Sequence, residues 1–351
     1  MRFRFPRVRR PALTLSTVVT AAALALAGCS SAPPEKPAAV PAQTGGGSTV
    51  FPVTIDSALG QAKITQQPKR VVTLGQGSAE TAIALGFTPV GIESYPWGSD
   101  KTGYLPWIHE AVTKAGGTLP KQFAGGEDID FDTIVELEPD VILAPWSGIT
   151  KDQYSVLSDI APTVAYPDLP WSTNWDQQIE IVSKALGKPA EAGTLISTIK
   201  KQLADAAATR PAYKGVTFSY IYTTGPGTLG VFKPEEQRAE MVTSLGLTPD
   251  PVVNTFKETE GTDSALIGLE NAQKLAGSDL IFTFYTDDKT RKEIEAQKLY
   301  AAIPAVKRGG IVAGDDTPFV TASSIINPLT VPWVIDRYLP LIDKAVATID
   351  K

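Results

Sequence analysis

The chain has 351 residues, with 32 basic against 38 acidic side chains, one histidine and one cysteine. That balance excludes a basic-patch nucleic-acid binder, and so few His and Cys exclude the usual ligand sets of zinc or manganese receptors. The length supports a large core, and chains of this size usually divide into two bodies.

Arg2, Arg4, Arg7, Arg9 and Arg10 open the chain, and Pro11 to Ala27 follow as an apolar run without an acidic residue. This is the layout of a secretory signal. A permanent span needs about 20 apolar residues, and this run is shorter and padded with Ala, Thr and Ser. Leu26-Ala27-Gly28-Cys29 resembles the lipobox of bacterial lipoproteins, in which the thiol is diacylated and the signal is cut just before it. The alternative is an ordinary signal with a free cysteine, and both export the chain. Residues 1–28 are read as the signal and Cys29 as the lipidation site on the outer face of a bacterial cytoplasmic membrane. Without residues 1–28, 27 basic residues face 38 acidic ones, a formal charge of −11. With Cys29 lipidated no disulfide is available, so burial must hold the fold. Residues 29–49 contain SSAPPEKPAAVPAQTGGGS, too poor in large apolar side chains to order, and read as a tether.

Beyond residue 49, strand-like and helix-like segments alternate. Val71-Val72-Thr73-Leu74 leads into AETAIALG, and DFDTIVELEP leads into Asp140-Val141-Ile142-Leu143. This alternation predicts parallel sheets flanked by helices. Ala79-Glu80, four residues and Leu85-Gly86-Phe87-Thr88-Pro89 recur 160 positions later as Ala239-Glu240, four residues and Leu245-Gly246-Leu247-Thr248-Pro249. The spacing argues for two halves on one plan, although LGxTP is also a common exit from helix to strand. In each copy Gly suits a left-handed helix cap and Pro prevents continuation. Between the halves, residues 189–210 form one helical block, with Pro189 in its first turn and Pro211 ending it. Leu195, Ile196, Ile199 and Leu203 give it one apolar stripe, and a helix this long spans about 30 Å, a stiff strut. The expected fold is α/β, with lobes at 50–188 and 211–351. Each lobe is a mainly parallel sheet flanked by helices, and one long helix joins them.

PKRVVTL with Glu80 and LGFTPVG, then FDTIVELEPDVILA, the helix from Pro189 and ENAQKLAGSDLIF carry a resemblance across nearly the whole exported domain. In that order they resemble the substrate-binding lipoproteins of ABC importers, in the class with two lobes joined by one long helix that serves ferric siderophores, haem and vitamin B12. YLPW, SDIAPTV and KALG make the chain most similar to the iron-siderophore branch. The resemblance implies capture of a ferric siderophore between the lobes, with haem or cobalamin as the alternative, and delivery to a permease and its ATPase. It implies no catalysis and no tightly bound cofactor. It also implies that Asp132 and Glu270 dock on permease arginines, with Asp132 one methylene shorter than the Glu more often found at the first position. Both acids also sit where they answer a helix dipole.

In open parallel sheets ligands bind beyond the carboxyl ends of the strands. Those ends lead to Gly75-Gln76-Gly77-Ser78, Glu93 to Trp97, Pro145 to Gly148, Thr223 to Gly230, and Tyr285-Thr286-Asp287. The first half inserts Tyr95 and Trp97, then Tyr104 and Trp107; the second inserts TTGPGTLGVFKPEEQR, which brings Lys233 and Arg238. One wall is thus expected to be aromatic and the other basic. A catecholate or mixed ferric siderophore is a large anion with flat rings, suited to arginine and aromatic faces. Arg238 leads as the anion contact, its other reading being a salt bridge with Glu235 or Glu236. Trp97, Trp146 and Tyr285 follow strands directly, and Arg291 is a lesser candidate at a solvated helix start. Trp333 lies on an apolar helical stripe and reads as core. His109 reads as a surface helix residue. No GxSxG flanks a serine, one His must serve any triad, and GPGTLG lacks the Lys-Ser/Thr of a phosphate loop.

Overall fold

The computed structural model describes residues 50–223, 225–259, 262–314 and 316–349. The residues read as signal and tether, up to residue 49 and including Cys29, lie outside the described residues. A hairpin of β1 (Val53–Ser57) and β2 (Gly60–Ile64) precedes the first lobe's sheet. That sheet comprises β3 (Val71–Thr73), β4 (Gly91–Glu93), β5 (Lys121–Phe123), β6 (Val141–Leu143) and β7 (Thr163–Val164). All its pairings are parallel, in the order β5-β4-β3-β6-β7. Every residue of β3 and β6 is buried, as a parallel sheet covered on both faces requires. Around it lie α1 (Ser78–Ala84), α2 (Pro106–Lys114), α3 (Phe131–Glu136), α4 (Lys151–Ile160) and α5 (Trp175–Ala185).

Helix α6 (Pro189–Ala208) then runs for 20 residues with Pro189 in its first turn. The second lobe has β8 (Thr217–Tyr222), β9 (Gly230–Phe232), β10 (Thr248–Pro249), β11 (Ser264–Leu266), β12 (Leu280–Thr283) and β13 (Ile311–Ala313). Its helices are α7 (Gln237–Ser244), α8 (Asp288–Glu295), α9 (Lys298–Ala301), α10 (Pro304–Lys307), α11 (Thr317–Ala322) and α12 (Thr330–Val346). Strand β8 pairs in parallel with β10 along its first residues and with β12 on its other side, and β13 continues beyond β12.

The internal repeat therefore has a structural counterpart: β3, α1 and β4 match β8, α7 and β10. Gly86 and Gly246 end the two helices at φ of +87° and +104°, the left-handed region where a side chain is costly. The halves differ where the second carries its insertion. There β9 runs antiparallel to the outer part of β8, and β11 runs antiparallel to β9, so this lobe's sheet is mixed. The segment opening at Leu269 is a 3-10 helix, Leu269–Gly277.

One apolar core passes through both lobes. It joins Val112 of α2, Ile179 of α5, Ile199 and Leu203 of α6, Val242 of α7, Phe282 of β12 and Val334 of α12. Along α6 the fully buried positions are Ala192, Ile199, Leu203 and Ala206, with Leu195 and Ile196 partly buried at the side of the stripe. The Trp175 indole N–H of α5 donates to Glu240 Oε1 of α7 at 2.8 Å, and Trp333 of α12, partly buried, packs against Trp107 of α2 at 5.5 Å between centroids.

Leu203→Ala in α6 is expected to destabilise the protein by about 2–5 kcal/mol. Lys201→Ala two residues away, which removes an exposed pair with Asp205, should change stability by less than about 1 kcal/mol. Urea unfolding midpoints of the two variants check the contrast.

Candidate functional site

The carboxyl edges of the two sheets meet. Gly98, in the loop after β4, lies so close to α11 that a Cβ there would come within 2.5 Å of Thr321 Oγ1. On the first lobe the edge encloses a cavity of about 700 Å³ lined by Leu74, Glu93, Ser147, Thr150, Gln153 and Trp171 among others. Two glycines shape it. Gly75 has φ +73°, and a Cβ on it would sit 1.9 Å from the Trp146 carbonyl oxygen; a Cβ on Gly148 would lie 2.4 Å from Trp171 Nε1. The Trp146 and Trp171 rings stack edge to face at 4.8 Å and 72°, a favoured aromatic geometry.

Glu93 Oε2 accepts the Gly75 N–H at 2.8 Å, and burial raises its pKa above the ordinary carboxylate value. Deeper in the lobe, Glu80 is 1% exposed. It accepts the Gly77 N–H and the Trp107 indole N–H, both at 2.9 Å, and burial still raises its pKa. Glu80 and Glu93 both line a space of about 10 Å³, roughly the room one water needs. The buried Thr73 hydroxyl borders the same space and has no hydrogen-bond partner among the described residues, and the buried Tyr95 hydroxyl borders it beside Glu93. Burial, and then the charges of Glu93 and Glu80, push the Tyr95 phenol well above its usual pKa, so it stays neutral.

On the second lobe, Arg238 stands in the first turn of α7 with its guanidinium over Phe232 at 4.7 Å and near Phe284 at 5.8 Å. Nη1 pairs with Glu236, and Nε donates to Ser324 Oγ at 3.1 Å. Glu236 also caps the helix by accepting the Arg238 N–H at 2.9 Å. Burial raises the Glu236 pKa and the Arg238 charge opposes that rise. The salt bridge read as the alternative for Arg238 is thus present, with Glu236 as its partner, and it lies at the mouth of the second sheet. Lys233 donates to the carbonyls of Val253 and Phe256 at 3.1 and 3.0 Å. Arg291 bonds Glu295 at 2.9 Å and lies 5.4 Å from the Tyr285 ring. Arg291, Asp287 and Asp316 line a smaller cavity of about 220 Å³.

The other aromatic candidates separate. Trp97 is 44% exposed beyond β4. Trp107 is in the core with its N–H on Glu80, Tyr104 donates to the Pro120 carbonyl at 2.9 Å, and the Tyr285 hydroxyl lies 2.9 Å from that of Tyr300 in a buried cluster. His109 is half-buried in α2 beside Tyr104. Sequence reasoning missed Trp171, which is 45% exposed at φ +61°. It follows β7 closely, so the rule of aromatics at strand exits reaches it once that two-residue strand is recognised. Sequence reasoning placed Glu93 only within a strand exit and Glu236 only as a possible salt-bridge partner of Arg238; their burial gives no signal until the fold is known.

A family model described as periplasmic binding protein matches residues 71–318. The chain is similar to the crystal structure of PiaA from Streptococcus pneumoniae TIGR4 in complex with ferrichrome. The identity is 32% and the TM-score 0.77, covering 84% of this chain and 99% of that one. A periplasmic solute binding protein from Mycobacterium smegmatis is 26% identical with a TM-score of 0.70, over 84% and 98% of the two chains. Among curated proteins, the ferric enterobactin-binding periplasmic protein FepB of Escherichia coli is 24% identical over 75% of this chain and 84% of its own length.

The buried Glu80 has a directional consequence for stability. Its pKa is raised from 4.5 in the folded state, so the folded state holds the proton more tightly than the unfolded chain. Its contribution to stability therefore falls as pH rises from about 4.5 through the folded pKa. Glu80→Gln should remove that part of the slope while leaving a pH-independent offset, which urea unfolding of both proteins between pH 4.5 and 8 would measure.

Proposed function

We propose, on the premise that the chain belongs to the periplasmic binding protein family, that it captures a ferric siderophore between its two lobes and hands it to an ABC permease powered by an ATPase. The observation that carries this reading is the facing of two carboxyl edges. One carries a 700 Å³ cavity with Trp171 at its rim, and the other carries Arg238 against Phe232 and Phe284. Arginine supplies hydrogen-bond donors for the oxygens around the iron, and the rings cover the organic shell. The ferrichrome complex of PiaA supports the substrate class. The role is binding rather than catalysis, with the iron complex as cargo.

The contacts proposed for the ligand are Arg238, Trp146, Trp171 and Trp97. Lys233, Tyr285, Tyr104 and Trp107 support the walls from within. Arg291 and Tyr95 stand at the edges of the two sheets.

Docking through Asp132 and Glu270 has its own support. Both acids are exposed and both lie in the first turn of their helices. Asp130, not Asp132, caps α3 by accepting the Thr133 N–H, so Asp132 keeps its carboxylate for another partner. An exposed aliphatic accompanies each acid: Val135, 54% exposed, and Leu266, 62% exposed. We further propose that Cys29 carries the lipid that holds the chain at the outer face of the membrane.

Saturable tryptophan quenching by ferric siderophores, and none by cobalamin, is the expected result. Binding of haem alone, with a shifted Soret band, would overturn the assignment. Asp132→Lys with Glu270→Lys should abolish uptake of the iron complex while leaving its Kd unchanged; a weakened Kd would count against docking as their role. Cys29→Ala should move the protein from the membrane fraction to the soluble one, as fractionation and immunoblotting would read.

A further inference from the structure

We propose that the cleft selects ferric complexes of little or no net charge, the tris-hydroxamate class, over highly anionic tris-catecholates, an inference that rests on the ferric-siderophore reading above. It comes from the charges at the two walls. Arg238 is the cation at the mouth of the second sheet, and its charge is already met by Glu236, whose side chain is 12% exposed and bonds both the guanidinium and the α7 backbone. The other two cations brought forward by the sequence are also committed. Lys233 is held by the Val253 and Phe256 carbonyls, and Arg291 by Glu295. On the first wall the cavity is lined by Glu93 and Glu127, with no basic side chain among its described lining residues. The arginines of the expected basic wall are therefore compensated ion pairs, Lys233 is turned onto backbone carbonyls, and the wall facing them is acidic.

Three singly charged hydroxamates neutralise Fe³⁺, whereas three doubly charged catecholates leave a trianion. Attraction of that trianion to Arg238 is opposed by Glu236 at nearly the same distance, and Glu93 adds repulsion from the other wall. In a partly desolvated cleft each like-charge pairing weakens binding by roughly tenfold or more. A neutral complex avoids both penalties. Arginine carries five N–H donors, and among the described residues Glu236 and Ser324 are the side-chain partners of the guanidinium. The remaining donors can reach the oxygens of a tris-hydroxamate while Phe232, Phe284 and Trp171 cover its carbon framework. Arg238 then acts as a hydrogen-bond donor of fixed orientation rather than as an uncompensated charge.

Tryptophan-quenching titrations with one ferric tris-hydroxamate and one ferric tris-catecholate of similar size, at about 0.15 M salt, test this on the wild type and on Glu236→Gln. The wild type should prefer the hydroxamate by on the order of 100-fold. Glu236→Gln keeps an acceptor for the helix N–H and leaves Arg238 uncompensated. It should raise catecholate affinity by on the order of 10-fold and change hydroxamate affinity by less than about threefold. Equal or tighter catecholate binding by the wild type, or an unchanged ratio in the variant, overturns the proposal. If circular dichroism shows that Glu236→Gln does not fold, Glu93→Gln on the other wall reads the same ratio with the same expected direction. Binding of neither complex overturns the siderophore reading itself, and the class with it.

Discussion

Burial of one stripe of α6 against both lobes is the constraint from which the rest of the structure follows. Ile199 and Leu203 belong to a core that also contains side chains from α2, α5, α7, β12 and α12. Apolar packing of this kind is close to crystalline in density and does not slide freely. A joint made of a flexible linker leaves lobes free to swing, whereas a shared core ties their separation to side-chain volume. The distance between the carboxyl edges, and so the size of complex that fits, is set far from the cleft.

The internal repeat uses the same chemistry twice with different reach. Glu80 and Glu240 occupy matching places and each accepts an indole N–H, from Trp107 within the first lobe and from Trp175 across to the other. Burial raises the pKa of both. A hydrogen-bonded carboxylate in low dielectric is directional and exacting about its partner, so it fixes the orientation of helices that apolar contacts alone would leave with more freedom. The pairing also holds Trp107 in the core, with its polar edge engaged and its rings packed.

Much of the frame was legible in the sequence because period and punctuation carry it. The alternation of segments gave the parallel strands, LGxTP gave the two helix exits, and Pro189 and Pro211 bounded the joining helix to within a few residues. The inserted TTGPGTLGVFK could be placed, but its antiparallel pairing could not, since a glycine-rich loop fits several strand directions. The site was less legible. Residue type told that Arg238 and the tryptophans could meet a ligand, yet whether a cation is available or already neutralised depends on neighbours such as Glu236 that come into position through folding. Trp107 and Trp146 look alike as aromatics near strand ends, and only the packing of α2 separates the core residue from the rim residue.

The antiparallel hairpin on β8 has a further consequence. Strand β10 holds the inner part of β8 while β9 and β11 hang from its outer part, so the insertion can change length or composition without disturbing the parallel strands beneath it. Phe232 lies within that insertion, and Glu236 and Arg238 lie at its exit. A duplicated scaffold has thus kept one copy plain and given the other a replaceable part, a division of labour by which a lineage can trade one specificity for another while its folding problem stays solved.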